Sequence, residues 1–206
     1  EAGTSQVFRA HAGQITSVAF SPDGAHIASA GLDGTVRLWT PAVERSVIDQ
    51  RQAGMVDFVF LDDRRVAAAA WGPDIRICDI VTRQCETLPC PTDVVFHLAL
   101  SPDLRLLASA NADKTLRVWD VSTRPARLLR VLSGHEDSPR DVTFSLDGKS
   151  LFSAGADRTV RVWDMATGEG RVLRGHTDVV SRVLLSPDGK TLASASRDKT
   201  LRLWDI

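Results

Sequence analysis

The sequence contains no tyrosine, only three cysteines and no long apolar segment. None of its apolar runs approaches the ~20 residues that a membrane-spanning helix requires, so we expect no membrane attachment. The N-terminal residues Glu1 to Thr4 lack the basic and then apolar stretches of a signal peptide, which favours a cytoplasmic location. An initiator methionine is also missing, and we expect the chain to be a piece of a longer protein.

Positive and negative charges nearly cancel. The 206 residues include 25 Lys and Arg against 26 Asp and Glu, for a formal net charge of −1. Since this chain lacks the overall basic charge of a nucleic-acid-binding protein, we expect no nucleic-acid partner. Hydrophobic residues make up 43% of the sequence and charged residues 25%, which is the composition of a globular protein with a sizeable core.

The few cysteines give no sign of a metal site or a disulfide framework. Cys78, Cys85 and Cys90 are odd in number and form no Cys-x-x-Cys pair, whereas such sites normally show characteristic spacings. We therefore expect isolated thiols in a reducing compartment and no bound metal. A Gly-rich phosphate loop and an isolated pair of carboxylates are missing as well, so the sequence offers little basis for a catalytic site or a cofactor.

One short segment recurs through the whole sequence. Its sequence is TVRLW at residues 35–39, and it returns with small changes at 115–119, 159–163 and 200–204, and more weakly at 74–78. The copies are about 41 residues apart, so five units fill the chain. A fixed period of this length indicates a repeat architecture, in which each unit is one small structural module.

Each unit is predicted to form short strands. Around Val36 and Leu38, apolar and polar residues alternate with the period of two that strands require. The segments Ser21-Pro22-Asp23-Gly24 and Ser186-Pro187-Asp188-Gly189 have the composition of tight turns, with Pro fixing one φ and Gly relaxing the last position. In unit 1 these signals predict four strands, near residues 15–20, 26–31, 36–40 and 46–50.

These units resemble the WD-repeat β-propeller family. Gly134-His135 and Gly175-His176 open repeats that end on Trp163-Asp164 and Trp204-Asp205, with 28 residues from His to Trp in both. The resemblance covers essentially the whole chain and implies an all-β fold of four-stranded antiparallel blades around a central channel. We therefore expect residues 1–206 to be a propeller domain, or a segment of one, with five WD-type repeats.

The number of blades leaves two interpretations open. Residues 7–11 match residues 172–176, so the N-terminal segment corresponds to an outer strand, and the chain ends three strands into its fifth blade. Residues 5–9 would then complete blade 5 and close a five-bladed ring, which hides both free edges. The commonest pattern in the family is seven blades, however, and we slightly favour the alternative that the five repeats are a segment of a seven-bladed ring.

Histidine, serine, aspartate and tryptophan recur together at the repeat spacing. A catalytic Ser-His-Asp triad is needed only once per active site, so repeated copies indicate a scaffold. The resemblance implies that each set forms a hydrogen-bond relay inside its blade. The expected relay residues are His11, Ser29, Asp33 and Trp39; Ser109, Asp113 and Trp119; His135, Ser153, Asp157 and Trp163; and His176, Ser194, Asp198 and Trp204.

Two units depart from this pattern. Unit 3 has Pro91 where the family pattern has histidine. Unit 2, residues 48–88, is degenerate, and its four relay positions hold Arg51, Ala68, Gly72 and Cys78. We expect blade 2 to be the least stable blade, held together by the apolar packing of Phe58, Phe60, Val66 and Ile77.

The resemblance also implies that partners dock on the face that carries the loops entering each blade. The matching positions of this sequence are Thr16, Val56, Trp71, Val94, Phe96, Arg140, Ser181 and Arg197. An apolar, aromatic patch with arginines nearby is typical of a peptide-binding hot spot. Two plainer interpretations stay open, in which Trp71 fills the space beside Gly72 and the two arginines are solvated charges.

We therefore expect a non-catalytic scaffold or sensor module that binds a protein or peptide. The alternative is a regulatory repeat region of a larger bacterial signalling protein, covalently linked to a kinase or P-loop ATPase domain outside this sequence. A propeller enzyme would need polar groups converging on the channel, and the inner strands near residues 17–19 and 143–144 show none. The arginines beside the repeat tryptophans are expected to be strand-face residues and not a nucleic-acid track; they are Arg117, Arg161 and Arg202.

Overall fold

A computed structural model describes residues 7–40, 44–49, 54–91 and 94–206. Within these ranges the regular secondary structure consists entirely of β-strands. The strands form five consecutive antiparallel sheets, which we call the blades. Blade 1 contains β1 (Ile15–Phe20), β2 (Ile27–Gly31), β3 (Thr35–Trp39) and β4 (Glu44–Asp49). Blade 2 contains β5 (Met55–Phe60), β6 (Arg65–Ala70), β7 (Asp74–Asp79) and β8 (Cys85–Pro89). The all-β prediction is confirmed.

The remaining three blades repeat the same order. Blade 3 contains β9 (Val95–Leu100), β10 (Leu106–Asn111), β11 (Thr115–Asp120) and β12 (Arg127–Ser133). Blade 4 contains β13 (Pro139–Phe144), β14 (Ser150–Gly155), β15 (Val160–Asp164) and β16 (Gly170–Leu173). Blade 5 contains β17 (Val180–Leu185), β18 (Thr191–Ser196) and β19 (Leu201–Asp205). Among the described residues no helix is long and apolar enough to cross a membrane.

The predicted tight turns join the first and second strands of the blades. The Ser21 backbone carbonyl accepts from the Gly24 backbone N–H at 2.8 Å, and Gly24 has a φ of +70°. Such a positive φ is readily adopted by glycine because it has no Cβ. Gly189 has a φ of +73° in the matching turn of blade 5. The turn residues therefore set where each hairpin reverses.

The antiparallel order gives each blade two ends with different loops. One end carries the loops that enter each blade and the turns between its second and third strands, and we call this end the loop face. The opposite end carries the turns after the first and third strands. The loop face therefore brings together side chains from all five repeats, although these lie about 41 residues apart in the sequence.

The apolar core lies between blades. Phe58 and Phe60 of blade 2 pack in one cluster with residues of β2 and β3 in blade 1, and Val66 belongs to the same cluster. Ile77 packs on the other side of blade 2, in a cluster shared with blade 3. Blade 2 is thus packed by the four apolar residues expected from the sequence, and each blade depends on its neighbours for burial of its faces.

The described residues do not form a closed ring. The sheet of blade 5 has three strands, β17, β18 and β19. Of the expected closing segment, residues 5–6 lie outside the described residues. Phe8 lies against blade 1, with its ring centroid 5.0 Å from that of Trp39. Within the described residues a five-bladed closure is therefore not formed, because Phe8 packs on blade 1 and residues 7–9 do not pair with β19.

The expectation of three isolated thiols is wrong for two of the cysteines. Cys78 of β7 and Cys85 of β8 are directly opposite each other in the antiparallel register, and they are joined by a disulfide bond. Cys90 is a buried free thiol. Sequence spacing does not show this pairing because the two cysteines meet through the register of a hairpin and not through a Cys-x-x-Cys turn.

Candidate functional site

Three of the four expected relays are assembled in full, in blades 1, 4 and 5. In blade 4 the His135 Nδ1–H donates to Asp157 Oδ2 at 2.8 Å, and its Nε2 lies 2.7 Å from Ser153 Oγ. The Trp163 Nε1–H donates to the same serine oxygen at 2.9 Å. A Cβ added at Gly155 would lie 2.6 Å from His135 Nδ1, so this position needs glycine for the close approach.

The other two complete relays repeat this geometry. In blade 1 the His11 Nε2 lies 2.8 Å from Ser29 Oγ, and its Nδ1 lies 3.0 Å from Asp33. In blade 5 the His176 Nδ1 lies 2.8 Å from Asp198 Oδ2, and its Nε2 lies 2.8 Å from Ser194 Oγ. The Trp204 Nε1–H donates to the same serine oxygen at 2.9 Å. The relay side chains are therefore turned into their blades and paired with one another, and they leave no open nucleophile and base for a substrate.

A threonine that was not among the expected relay residues completes each relay. The hydroxyls of Thr35, Thr159 and Thr200 donate to the relay aspartates at 2.8, 2.8 and 2.6 Å. Each aspartate also accepts from a backbone N–H beside the relay histidine, as Asp157 does from Glu136 at 3.0 Å. The signal was present in the sequence, because threonine opens the recurring TVRLW segment.

These donors stabilise the charged form of the relay aspartates. Burial acts to raise the pKa of Asp33, but hydrogen bonds from His11, Thr35 and the Ala12 backbone outweigh it and lower the pKa to about 2, from an ordinary 3.8. Asp157 is also held below its ordinary pKa, where its contacts with His135 overcome burial. In Asp198 the hydrogen bond from Thr200 contributes most to the lowered pKa.

Acid should destabilise the protein through these carboxylates. Since the folded pKa of Asp33 lies below its unfolded value of 3.8, its contribution is present above that pH and is lost as the pH falls through 2. We expect the free energy of unfolding, measured in urea at a series of pH values, to fall from about pH 5 downwards, with on the order of 1 kcal/mol due to Asp33. An Asp33→Asn variant should show a shallower fall, and an unchanged slope would contradict this role.

Blade 3 does not form the relay, although it keeps three of the residues. The Asp113 carboxylate accepts from Arg117 at 2.6 Å and from the Thr115 hydroxyl at 2.6 Å, and it does not reach Ser109. Among the described residues, the buried Ser109 hydroxyl and the buried Trp119 indole N–H have no hydrogen-bond partners. The physical reason is the missing histidine, which in other blades bridges the aspartate and the serine. In blade 2, Arg51 lies outside the described residues.

A second polar arrangement, which no sequence pattern predicted, crosses the blades. Asp57, His97, Asp141 and Arg182 occupy the same position on the first strands of blades 2 to 5, and we call them the inter-blade chain. Asp57 Oδ2 accepts from the Leu98 backbone N–H of blade 3 at 2.9 Å. Likewise, Asp141 Oδ2 accepts from the Val183 N–H of blade 5 at 2.8 Å.

His97 lies between the two carboxylates of the inter-blade chain. Its Nδ1 is 2.9 Å from Asp141 Oδ1, and its Nε2 is 3.7 Å from Asp57 Oδ2. Burial alone would lower the pKa of His97, but Asp141 and then Asp57 outweigh it and raise the pKa above 6.5. Burial raises the pKa of Asp57. The inner strands therefore do carry polar groups, contrary to the sequence analysis, but these groups bind neighbouring blades.

The loop face carries an exposed tryptophan side chain. Trp71 is 61% exposed, so it does not fill the space beside Gly72. Leu32 of blade 1 is also exposed, and a Cβ added at Gly54 would contact both Trp71 and Leu32, at 3.5 and 3.6 Å. The Trp71 backbone pairs with that of Val94 in blade 3, in an isolated bridge. We call Leu32, Trp71, Val94 and Phe96 the apolar patch.

Arginines lie beside and across from the apolar patch. The Arg140 guanidinium carbon lies 4.1 Å from the centre of the Phe96 ring, within the range of a cation–π contact. Arg197 in blade 5 is exposed, as are Thr16 and Ser181, and Val56 is half-buried. Thr16 and Ser181 each donate a hydroxyl hydrogen bond to a carbonyl on the neighbouring strand. The eight predicted binding residues thus surround the loop face, apolar in blades 2 and 3 and basic in blades 4 and 5.

The arginines beside the repeat tryptophans are not arranged as a nucleic-acid track. Arg117 is buried and paired with Asp113, while Arg161 is buried with its guanidinium carbon 5.7 Å from the Trp163 ring. Arg202 is exposed. The first two are strand residues packed within their blades, so their charges are unavailable for a phosphate backbone.

The opposite end of the molecule holds a small cavity between blades 2 and 3. Its volume is about 180 Å³, and its lining includes Arg65, Asp79, Glu86 and Arg124. A wider cavity of about 480 Å³ adjoins it, with Asp62, Asp63 and Arg64 in its lining. Ligand sites usually have mostly apolar walls, whereas both cavities are lined mainly by charged and polar residues, so both are poor candidates for a ligand site. Among the described residues no three His, Cys, Asp or Glu side chains are placed to hold a metal ion.

Comparison with known proteins finds matches to one repeat family over most of the chain. The family model described as WD domain, G-beta repeat matches residues 3–40, 82–120, 126–164 and 169–205. The unmatched stretch between the first two regions contains most of unit 2, where the relay residues are replaced. The relay histidines, serines, aspartates and tryptophans all lie within the four matched regions.

The chain is similar to parts of several longer proteins. Apoptotic protease-activating factor 1 of Rattus norvegicus is 29% identical over 140 residues, which is 67% of this chain and 11% of that protein. Small ribosomal subunit protein RACK1 of Schizosaccharomyces pombe is 34% identical over 124 residues, 54% of this chain and 39% of that protein. Transcription initiation factor TFIID subunit 5 of Caenorhabditis elegans is 30% identical over 149 residues, which is 71% of this chain and 23% of that protein. The chain thus spans well under half of each relative, and all three are eukaryotic.

Proposed function

This chain belongs to the WD-repeat family, and from that premise we propose that it is a non-catalytic module that binds a protein or peptide on its loop face. The family is generally a scaffold for protein interactions. Two of the similar proteins are named as subunits of larger assemblies, the small ribosomal subunit and TFIID. Both names fit a role in binding other proteins within an assembly.

The exposure of Trp71 is the observation that carries the proposal. A tryptophan with most of its surface in water leaves a large apolar area that a partner can bury, and tryptophan is among the residues most enriched in hot spots. Leu32 widens this area on one side, and Val94 and Phe96 extend it on the other. The site therefore fits an apolar side chain of a partner.

The arginines indicate the charge of that partner. Arg140 lies next to Phe96, and Arg197 lies on blade 5, so the two charges lie on blades 4 and 5 beside an apolar patch on blades 1 to 3. Arginine binds carboxylates through paired hydrogen bonds, which gives both affinity and orientation. We infer a peptide that carries an apolar anchor and, farther along, acidic residues.

Selection from a displayed library of random peptides tests this site. We expect enrichment of peptides that combine an aromatic or aliphatic anchor with acidic residues. Trp71→Ala and Arg197→Ala should each weaken binding of a selected peptide by about tenfold or more, measured by fluorescence anisotropy. Neither change should lower the free energy of unfolding, because both side chains are exposed.

Matched controls come from the opposite end of the blades. Val81→Ala and Arg105→Ala remove an exposed apolar and an exposed basic side chain there, and they should leave the affinity unchanged. Equal losses from the control and patch variants would argue against a specific site. Enrichment of basic peptides would rule out the role of the arginines.

A second proposal concerns the protein around this chain. We propose that the repeats regulate a catalytic domain, of the kinase or P-loop ATPase type, in the same cytoplasmic protein. The match to a small part of apoptotic protease-activating factor 1 supports an arrangement in which such repeats belong to a much longer chain. The sequence on either side of residues 1–206 in its gene tests this, and a kinase or P-loop motif there is the expected result.

A further inference from the structure

The disulfide bond of blade 2 starts from a position that holds a relay tryptophan in the other blades. Cys78 occupies the position of Trp39 in blade 1 and Trp163 in blade 4, whose indole N–H groups donate to a relay serine. Blade 2 has Ala68 in place of that serine, so it cannot form this hydrogen bond. The bond from Cys78 to Cys85 is instead a covalent tie between the third strand and the outer strand of the blade.

The two cysteines of this bond differ in their access to solvent. Cys78 is fully buried, in the apolar cluster between blades 1 and 2. Cys85 begins the outer strand β8 and is exposed. It also lines the cavity of about 180 Å³ between blades 2 and 3. Exposed disulfides are the ones that exchange readily with thiols, and a thiol that approaches from solvent reaches Cys85 first.

The charges around Cys85 do not oppose such an approach. Arg65 and Arg124 line the cavity beside Cys85, and Asp79 and Glu86 line it with them. Because positive and negative groups are equal in number among these four, a thiol needs no particular charge to reach the sulfur. A neutral dithiol is therefore a suitable probe of this site.

The third cysteine does not compete for the disulfide. Cys90 is fully buried, and burial raises the pKa of its thiol to about 11. Because the thiolate is the form that attacks a disulfide, Cys90 is unreactive near neutral pH. Exchange at Cys85 therefore requires a thiol from outside the chain.

The outer strand β8 has its other support away from Cys85. It lies at the edge of the blade 2 sheet and pairs with β7 on one side. Leu88, near its far end, is buried in the cluster shared with blade 3. The Glu86 carboxylate accepts from the Ala126 backbone N–H at 3.3 Å, which is a weak contact. Without the disulfide, β8 should therefore fray from its first residue.

We propose that Cys85 is the site at which an external dithiol opens the disulfide and thereby loosens β8. A thiolate of the dithiol attacks the Cys85 sulfur, and the Cys78 sulfur leaves as a thiolate that takes a proton from water. The second thiolate of the dithiol then attacks its own sulfur in the mixed disulfide and releases Cys85, which is protonated in turn. In total, two electrons and two protons pass from the dithiol, which becomes a disulfide, to the two cysteines.

Thiol counting on the folded chain tests the exchange. The chain is treated with dithiothreitol in the absence of denaturant, quenched in acid, unfolded and alkylated, and its mass is then measured. We expect alkylation of Cys90 alone before the treatment and of all three cysteines after it. Free thiols at Cys78 and Cys85 before the treatment would overturn the proposal, as would a disulfide that opens only once the chain is unfolded.

Cys78→Ala and Cys85→Ala form a matched pair that tests which sulfur is attacked. Each variant keeps one cysteine of the pair, and both keep Cys90 as the same background. We expect Cys85 in the first variant to react with an aromatic disulfide reagent at least about tenfold faster than Cys78 in the second, because Cys85 is exposed. Equal rates would rule out Cys85 as the point of attack.

Hydrogen exchange in the original chain measures the loosening of β8 without any substitution. We expect the backbone amides of β8 to exchange at least about tenfold faster after reduction, whereas those of β12, the outer strand of blade 3, should not change. Cys85→Ala has no disulfide and should show no response to dithiothreitol. Unchanged protection of β8, or an equal loss in β12, would show that the disulfide does not hold this strand and would contradict the proposal.

Discussion

Replacement of Asp141 by alanine should lower the free energy of unfolding by about 3 kcal/mol. The Asp141 side chain is 3% exposed, accepts a hydrogen bond from the Val183 backbone N–H and forms an ion pair with His97. Its removal leaves a buried N–H and a buried histidine without their partner, which costs more than the loss of a surface contact. Urea unfolding followed by tryptophan fluorescence measures the change.

Two further variants separate the charge of Asp141 from its shape. Asp141→Asn keeps an oxygen for the Val183 N–H but removes the charge, so it should cost less than alanine and lower the pKa of His97, measured by NMR titration of the imidazole. Asp205→Ala, at an exposed position, should leave the stability within about 0.5 kcal/mol of the original chain. An unshifted His97 titration in Asp141→Asn would show that the ion pair has no influence on the histidine.

The pH dependence of the inter-blade chain runs opposite to that of the relays. The folded pKa of His97 lies above its ordinary 6.5, so the contribution of the charged histidine is complete below that pH. This contribution is lost as the pH rises through the folded pKa. The relay aspartates lose their stabilising contribution as the pH falls below 3.8. The relays therefore limit the stability in acid, and the inter-blade chain limits it at higher pH.

Replacement of His135 by alanine should lower the free energy of unfolding by about 2 to 3 kcal/mol. The His135 side chain is 1% exposed and connects Asp157 to Ser153. Without the imidazole the carboxylate keeps its threonine and backbone donors but loses one charged hydrogen bond, and the serine keeps only the tryptophan. A cavity is left in the blade as well.

Glu136 is the matched control, because it is the next residue and its side chain is exposed. Glu136→Ala should change the stability by no more than about 0.5 kcal/mol. Hydrogen exchange gives a second measurement, in which the backbone amides of β14 and β15 should lose protection in His135→Ala. Equal stabilities of the two variants would mean that the relay does not hold blade 4 together.

Much of the fold could be predicted because the same sequence pattern recurs in several repeats, and each copy supports the interpretation of the others. The strands near residues 15–20 and 26–31 were predicted to within one residue, since alternation and tight turns are local properties of the chain. Recurrence at a fixed spacing grouped His135 with Asp157, and the resemblance to the WD-repeat family implied that the two residues are relay partners. Their threonine partner, Thr159, was visible in the same recurrence but was not assigned a role.

The candidate site was only partly predictable. Trp71 was placed on the loop face by its position in the repeat, but its exposure depends on how blades 1 and 2 pack around Gly54. Asp57 and His97 are single polar residues in otherwise apolar strands, and Asp141 lies in a strand that also holds Arg140 and Thr143. Because their partners lie one repeat away, no pattern within a unit shows that the three side chains meet.

The amino-acid sequence alone determined the strands, the turns and the recurring relay residues, because these depend on alternation, turn chemistry and a fixed repeat spacing. The tertiary structure alone decided the contacts that leave no recurring pattern in the sequence. Cys78 meets Cys85 through the register of one hairpin, and Asp141 meets His97 through the packing of two sheets. Whether the ring closes is decided in the same way, since a small change in the angle between blades, summed over five repeats, moves the two ends together or apart.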